Sequence, residues 1–136
     1  MTPSLHHVVF AVADERHESV AQMFIDLGFA LAPAELTELG VRINLDWARG
    51  IEIISPLPGA TASVAKSVSQ FLAEEGDGVY TVVLQVPAAS AAEAVAERYG
   101  SKTRFRQSFS GDGTFLDEID LSALSLPLTF LATNVP

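Results

Sequence analysis

The sequence predicts an α+β protein made of two tandem βαβββ modules. An internal repeat is the main observation: HVVFAVA at residues 7–13 and TVVLQVP at 81–87 have the same order of bulky and small side chains. Each run precedes a segment in which apolar residues recur every three or four positions, as in an amphipathic helix. The closing segments GIEIIS at 50–55 and PLTFLA at 127–132 also align. A repeat longer than ~50 residues indicates two fused modules.

The first module contains a helix between its opening and closing strands. We expect this helix over residues 15–27, with Asp14 as its N-cap because a short carboxylate can accept hydrogen bonds from the free N–H groups of the first turn. A turn at Gly40 then leads into a strand at 41–47. The segment at 50–55 closes the module as its last strand.

The second module repeats this order. A helix is expected over 90–99, after which FRQSF at 105–109 and TFLDEIDL at 114–121 predict a hairpin around Ser-Gly-Asp-Gly. A further helix over about 64–75 connects the modules. We expect a single domain over residues 1–136, with module one at about 5–55 and module two at about 79–132.

Composition narrows the class of protein. The 136 residues are 49% hydrophobic and 18% charged, which fits one globular domain. The net charge of −9 disfavours nucleic acid and anionic membranes as partners. The absence of cysteine excludes disulfides and thiolate nucleophiles. No basic leader and no apolar stretch of ~18 residues is present, so we expect a cytoplasmic protein without a membrane anchor.

Strand alternation selects the candidate binding residues. His7 points away from the apolar face formed by Val8 and Phe10, and Glu52 lies between the core residues Ile51 and Ile53. If the two modules curve toward each other, polar side chains line a cup between them. The expected lining is His7, Arg42, Asn44, Asp46, Glu52, Thr81, Gln85 and Thr129.

For the other polar residues we expect ion pairs or exposure to solvent. Arg42 either neutralises Glu52 or Asp46, or binds a ligand carboxylate. We expect His17 to be solvent-exposed on the polar side of its helix. Exposure is also expected for an arginine pair and an acidic cluster in the second module, namely Arg104, Arg106, Asp117, Glu118 and Asp120.

The repeat and its motifs resemble the vicinal oxygen chelate superfamily, which includes glyoxalases and bleomycin-resistance proteins. The resemblance rests on LHHVVFAVAD at the start, on IEIISPL, and on SVAKSVSQFLAEEGDGVYTVVLQV. Within the superfamily the sequence is most similar to methylmalonyl-CoA epimerases. The matching segments are ELGVRI at 38–43, IEIISPL at 51–57, SVAKSVSQFL at 63–72 and GVYT at 78–81.

The resemblance implies one divalent cation held by the first and last strand of each module. His7 and Glu52 match two of the four ligand positions, and would suit Zn, Co, Mn, Ni or Fe(II). Thr81 and Thr129 stand where the second module should supply a histidine and a glutamate. Neutral hydroxyls are poor donors to a divalent cation, so we expect no tightly bound metal.

Three functions remain open at this stage. The favoured function is binding of a small organic molecule in the cup, with lyase or isomerase chemistry as an open alternative. A metal-dependent epimerase acting on an acyl-CoA is the second, in which the resemblance assigns proton transfer to Glu38. The third is a metal-free sequestering protein of the bleomycin-resistance type, or a partner subunit. The resemblance also implies a homodimer.

Overall fold

The computed structural model describes residues Met1–Pro136 and contains two successive βαβββ modules with a helix between them. This confirms the predicted α+β fold class. The strands are β1 Ser4–Ala11, β2 Ala32–Leu36, β3 Val41–Asp46, β4 Ile51–Pro56, β5 Gly78–Gln85, β6 Lys102–Gly111, β7 Thr114–Ala123 and β8 Leu126–Thr133. The helices are α1 His17–Asp26, preceded by a 3-10 turn at Asp14–Arg16, α2 Ser63–Glu75 and α3 Ala89–Glu97.

The chain divides into two compact units. The N-terminal unit is His7–Tyr80, and the C-terminal unit combines Met1–His6 with Thr81–Pro136. The divisions therefore fall within β1 and β5.

The N-terminal unit is a four-stranded mixed sheet with α1 on one face. Its strand order is β2-β3-β4-β1, with β1 and β4 parallel and the other pairs antiparallel. Beneath α1, a small apolar cluster forms around Ile53, which is fully buried. Phe10 of β1 packs against Phe24 of α1, with ring centroids 5.7 Å apart. Burial of this apolar face holds the helix on the sheet.

The turn before β3 is packed against the start of α2. Gly40 has φ +71°, and a Cβ there would lie 2.7 Å from that of Ala60 and 2.9 Å from that of Ala65. The main-chain oxygen of Leu39 accepts a hydrogen bond from the N–H of Ala65. Glycine is therefore required at position 40 both for its conformation and for its lack of a side chain.

The C-terminal unit repeats this design with the strand order β5-β8-β7-β6. Strands β5 and β8 are parallel, whereas β8, β7 and β6 form antiparallel neighbours. The residues Leu121 and Phe130 belong to the buried cluster under α3. Between Thr103 and Phe105 the pairing of β6 with β7 shifts register, which leaves Arg104 at a β-bulge.

The helices lie close to their expected positions, but two local predictions need correction. Strand β2 was not located from the sequence, because all five of its residues are exposed and it contains Pro33. It forms an edge of the N-terminal sheet, where such residues are tolerated. Asp14 does not cap α1, since it lies inside the 3-10 turn and accepts a hydrogen bond from Arg42. None of the three helices has the length and apolar character needed to cross a bilayer.

Candidate functional site

A histidine and a glutamate lie together on the sheet face of the N-terminal unit that is turned away from α1. In the parallel pair β1–β4, Val9 is in register with Glu52, so His7 lies on the same face as that carboxylate. Nε2 of His7 is 3.3 Å from Oε1 of Glu52. Their side chains are only 5% and 16% exposed. The ring of Trp47 lies beside His7, with centroids 6.2 Å apart.

This pair places an imidazole beside a carboxylate, with Nε2 and Oε1 3.3 Å apart. An imidazole can donate or accept a hydrogen bond, whereas an ionised carboxylate can only accept one. A buried ionisable pair costs free energy that an apolar pair of similar size would avoid. Its position on the open face of the sheet makes the pair a candidate for contact with a ligand.

The C-terminal unit has threonines at the corresponding positions. The parallel pair β5–β8 repeats the register of β1–β4, with Val83 beside Thr129. Thr81 therefore takes the position of His7. Thr129 likewise takes the position of Glu52. The correspondence expected from the internal repeat is thus present in the strand register.

These threonines belong to a buried hydrogen-bonded chain. Thr129 donates its hydroxyl proton to Oδ2 of Asp120 at 3.0 Å, so Thr81 is left to donate to Thr129, also at 3.0 Å. The guanidinium Nε of Arg104 donates to Oδ1 of the same carboxylate. Burial raises the pKa of Asp120, while the charge of Arg104 and the two hydrogen bonds oppose that rise.

Comparison with known proteins shows the fold. No protein-family model and no curated protein matches the sequence. Among solved structures, a hypothetical protein from Bacillus halodurans C-125 matches with TM-score 0.75 and 17% identity, over 100% of this chain and 98% of the other. Methylmalonyl-CoA epimerase from Mycobacterium tuberculosis matches with TM-score 0.66 and 20% identity, over 97% of this chain and 88% of the other. The Streptomyces coelicolor methylmalonyl-CoA epimerase, in complex with 2-nitronate-propionyl-CoA, matches with TM-score 0.64 and 17% identity, over 96% of this chain and 97% of the other.

The chain has the vicinal oxygen chelate fold. The likeness that the sequence motifs suggested is therefore confirmed at the level of architecture. At 15–20% identity the comparisons show the fold alone, so the chemistry must be derived from this chain's own side chains.

The donor set does not fit the tightly held cation that the vicinal oxygen chelate fold implies. A separation of 3.3 Å between His7 and Glu52 is compatible with two ligands of one ion, since metal–ligand bonds are about 2.0–2.2 Å long. However, Thr81 and Thr129 offer hydroxyls that are already hydrogen-bonded to each other. No group of three or more His, Asp or Glu side chains is arranged to hold a metal ion.

Strand β3 faces the opposite way from the prediction. Asn44 is in register with Ile53, whose side chain packs beneath α1. Because alternate residues share a face, Arg42, Asn44 and Asp46 all lie on the α1 side. The expectation that these three share a face with Glu52 is therefore wrong.

Arg42 and Asp46 form local contacts on the α1 side. Arg42 donates to Oδ1 of Asp14 at 2.8 Å and to Oε1 of Glu18 at 2.9 Å. Arg42 therefore pairs with these two carboxylates and not with Glu52 or Asp46. Asp46 accepts a hydrogen bond from the main-chain N–H of Ala30 at 2.9 Å, which fixes the chain before β2.

His17 is buried, which corrects the expectation that it is solvent-exposed. Ser55 Oγ donates to the main-chain oxygen of Val12 at 2.5 Å, so it accepts from Nδ1–H of His17 at 2.7 Å. Nε2 of the same ring then accepts from the side-chain amide of Asn44 at 2.8 Å. These bonds require the neutral Nδ1–H tautomer. Burial lowers the pKa of His17, and the positive charge of Arg42 lowers it further.

The two remaining candidate residues lie at different places. Glu38 is exposed on the turn at 37–40, outside the strands. Gln85 is half-buried on β5 and in register with Leu131, which places it on the same sheet face as Thr81. The catalytic role assigned to Glu38 and the ligand-binding role assigned to Gln85 remain predictions.

Asp120 is the polar residue that sequence reasoning most clearly missed. It was expected to be exposed, yet it is only 2% exposed. The available signal was its position between Ile119 and Leu121, two core residues. The same signal identified Glu52 between Ile51 and Ile53.

Proposed function

We propose that this chain binds a small organic molecule through a carbonyl or carboxylate oxygen at the face that carries His7 and Glu52. The observation that supports it is the 3.3 Å separation of Nε2 and Oε1 in this nearly buried pair. His7 donates a hydrogen bond from Nε2–H to a ligand carbonyl oxygen that displaces Glu52. Glu52 removes a proton from the carbon next to that carbonyl group, so that the electron pair of the C–H bond moves to the oxygen held by His7, and then returns the proton to a carbon of the same ligand. Chemistry of this kind is of the lyase or isomerase type.

The charge of the chain favours a small ligand over a coenzyme A ester. The chain has eight Lys and Arg residues against seventeen Asp and Glu residues. A coenzyme A moiety carries several phosphate charges, which a protein with net charge −9 repels unless a basic patch compensates. A compact keto acid, hydroxy acid or aldehyde incurs a smaller electrostatic cost.

Methylmalonyl-CoA epimerisation is the second candidate, because solved epimerases of that name share the fold. Epimerisation needs two groups that exchange a proton with the α-carbon on opposite sides. The resemblance assigns these roles to Glu38, which is exposed on a turn, and to the position of Thr129, which has no acidic proton. Incubation with methylmalonyl-CoA in D2O tests this candidate. We expect no deuterium at the α-carbon above the uncatalysed level, and rapid exchange would make the epimerase the better assignment.

The proposed binding is tested with protein purified without a chelator or affinity tag. Native mass spectrometry of the folded protein identifies any small molecule that co-purifies, and a panel of small keto, hydroxy and dicarboxylic acids is then titrated by calorimetry. We expect His7→Gln and Glu52→Gln each to weaken binding at least tenfold. His6→Gln and Glu75→Gln are the matched controls, since they make the same chemical changes at other positions. Equal affinity in all four variants would contradict the proposal.

We also propose a homodimer as the form present in solution. Support comes from three exposed leucines of the C-terminal unit, Leu5, Leu124 and Leu126, which are 63%, 71% and 58% exposed. Leu124 and Leu126 lie at the same turn, between β7 and β8, and exposed apolar side chains that lie close together are typical of an interface. Light scattering coupled to gel filtration measures the mass. A monomeric mass across the micromolar range would contradict the proposal.

A further inference from the structure

A cleft lies on the face of the N-terminal sheet opposite to that of His7 and Glu52. It has a volume of about 510 Å³ and lies between α1 and the strands β2 and β3. Its apolar wall includes Ala21, Ile25 and Leu31. Ile25 is 45% exposed although it lines the cleft. Clefts of a few hundred Å³ with apolar walls are the usual sites for small ligands.

The polar floor of this cleft is already hydrogen-bonded. Arg42 uses Nε, Nη1 and Nη2 for Asp14 and Glu18. Both ring nitrogens of His17 are occupied by Ser55 and by Asn44. A ligand in the cleft therefore cannot rely on these groups for charge complementarity without breaking existing bonds.

The charged side chains at the cleft leave a net negative potential. Glu35 is in register with Arg42 across β2 and β3, so both lie on the face covered by α1. The charged residues that line the cleft are Glu18, Glu35 and Arg42, so carboxylates exceed cations by one in its lining. Arg42 binds Glu18 and also Asp14, which lies outside the lining. The remaining charge favours a cation over an anion.

We propose that this cleft binds a small organic cation, an ammonium group on a short apolar chain. The apolar part contacts the wall at Ala21 and Ile25, and the ammonium group lies at the rim near Glu35. The cleft and the His7–Glu52 face are on opposite sides of one sheet, so this site does not depend on the function proposed above.

Three probes of equal length separate charge from hydrophobic contact: hexylamine, 1-hexanol and hexanoate. Each is titrated into protein with 13C-labelled alanine and isoleucine methyl groups and followed by NMR. We expect hexylammonium to shift the methyl signals of Ala21 and Ile25 in a saturable way, with a Kd at least tenfold lower than that of hexanoate. The Kd of hexanol should lie between those of hexylammonium and hexanoate. Failure of all three probes to shift these signals, or equal binding of hexanoate, would overturn the proposal.

The variant Glu35→Gln tests the role of the rim carboxylate. This residue is exposed, so the variant should fold normally. We expect its Kd for hexylammonium to rise at least threefold while its Kd for hexanol stays unchanged. Glu75→Gln, which changes the net charge equally on α2, is the control and should leave both values unchanged. An equal loss of affinity for hexylammonium in Glu35→Gln and Glu75→Gln would contradict the proposal, because it would show that the overall charge of the protein and not the cleft attracts the cation.

Discussion

Thr129 donates a hydrogen bond to Asp120 across the antiparallel pair β7–β8, at 3.0 Å. The internal repeat assigns to Thr129 the place that Glu52 holds in the N-terminal unit. In the C-terminal unit the buried carboxylate is therefore not on β8 but on the neighbouring strand β7. There it is paired with Arg104. The first module thus presents an imidazole and a carboxylate on its sheet face. In the second module the carboxylate of Asp120 is bound by Arg104 and Thr129.

The first prediction concerns this hydrogen-bonded chain. Thr129→Val removes the donor to Asp120 and the acceptor for Thr81, so we expect a loss of about 1–2 kcal/mol in the free energy of unfolding. Thr81→Val breaks one bond only and should cost about half as much. Urea denaturation measures both. Thr61→Val, at an exposed position, is the control. A Thr129→Val variant as stable as the parent would show that the chain contributes no stability.

The second prediction concerns the turn that packs on α2. Gly40→Ala combines an unfavourable positive φ with contacts of 2.7 and 2.9 Å to neighbouring Cβ atoms, so we expect it to cost about 2–4 kcal/mol. Gly59→Ala has nearly the same φ, +73°, but nothing within 4 Å. It should cost only about 1 kcal/mol, the strain of the backbone alone. Equal losses in the two variants would mean that the close approach at Gly40 relaxes freely.

The fold could be predicted from the sequence because the pattern of the βαβββ module occurs twice in the chain. Each strand and helix of one module has a counterpart about 75 positions away, so weak local patterns that agree between the two copies reinforce each other. Strand β2 was missed because APAEL has neither alternation nor strand propensity. Its place in the sheet depends on pairing with β3 alone.

The sequence predicted the sheet face of a candidate site residue correctly only where the hydrophobic neighbours of that residue determined the face. Glu52 was placed correctly because Ile51 and Ile53 leave it no room in the core. Strand β3 was turned the wrong way because both of its faces are at least partly covered, so polarity does not identify the face under α1. The side-chain partners of Arg42 and Asn44 on the α1 side, among them Glu18, lie 24 or more residues away in the chain. Such long-range pairs leave no local pattern.

The third prediction concerns metal removal. A cation bound at a free concentration of 100 times its Kd stabilises a protein by about 2.7 kcal/mol. In a domain of this size that corresponds to a Tm shift of roughly 8 °C or more. Because His7 and Glu52 are the only matching ligands, we expect dialysis against EDTA to change the Tm by less than about 1 °C, as followed by circular dichroism. A fall of several degrees that Zn²⁺ or Mn²⁺ restores would contradict this expectation.

The fourth prediction follows from the buried, neutral His17. Burial, together with the charge of Arg42, lowers its pKa below the ordinary value of 6.5, so at mildly acidic pH the unfolded chain takes up a proton that the folded chain does not. The stability that His17 contributes is therefore complete above about pH 7 and is lost as the pH falls through 6.5 toward the lowered pKa. Protonation of the ring opposes its acceptance of a hydrogen bond from Asn44 and places a second cation near Arg42. The nearby carboxylates Glu18 and Asp14 moderate this effect.

Urea denaturation between pH 8 and pH 5 measures this dependence. The parent should lose stability as the pH falls, and His17→Gln should show a smaller slope over the same range, although it is less stable throughout. His6→Gln is the matched control, because it removes a different imidazole and leaves the bonds of His17 to Ser55 and Asn44 intact. A His17→Gln variant with the slope of the parent would mean that His17 is not the group whose protonation destabilises the fold. The pH dependence would then have to come from other groups, since the unfolded chain binds more protons than the folded one wherever stability falls with decreasing pH.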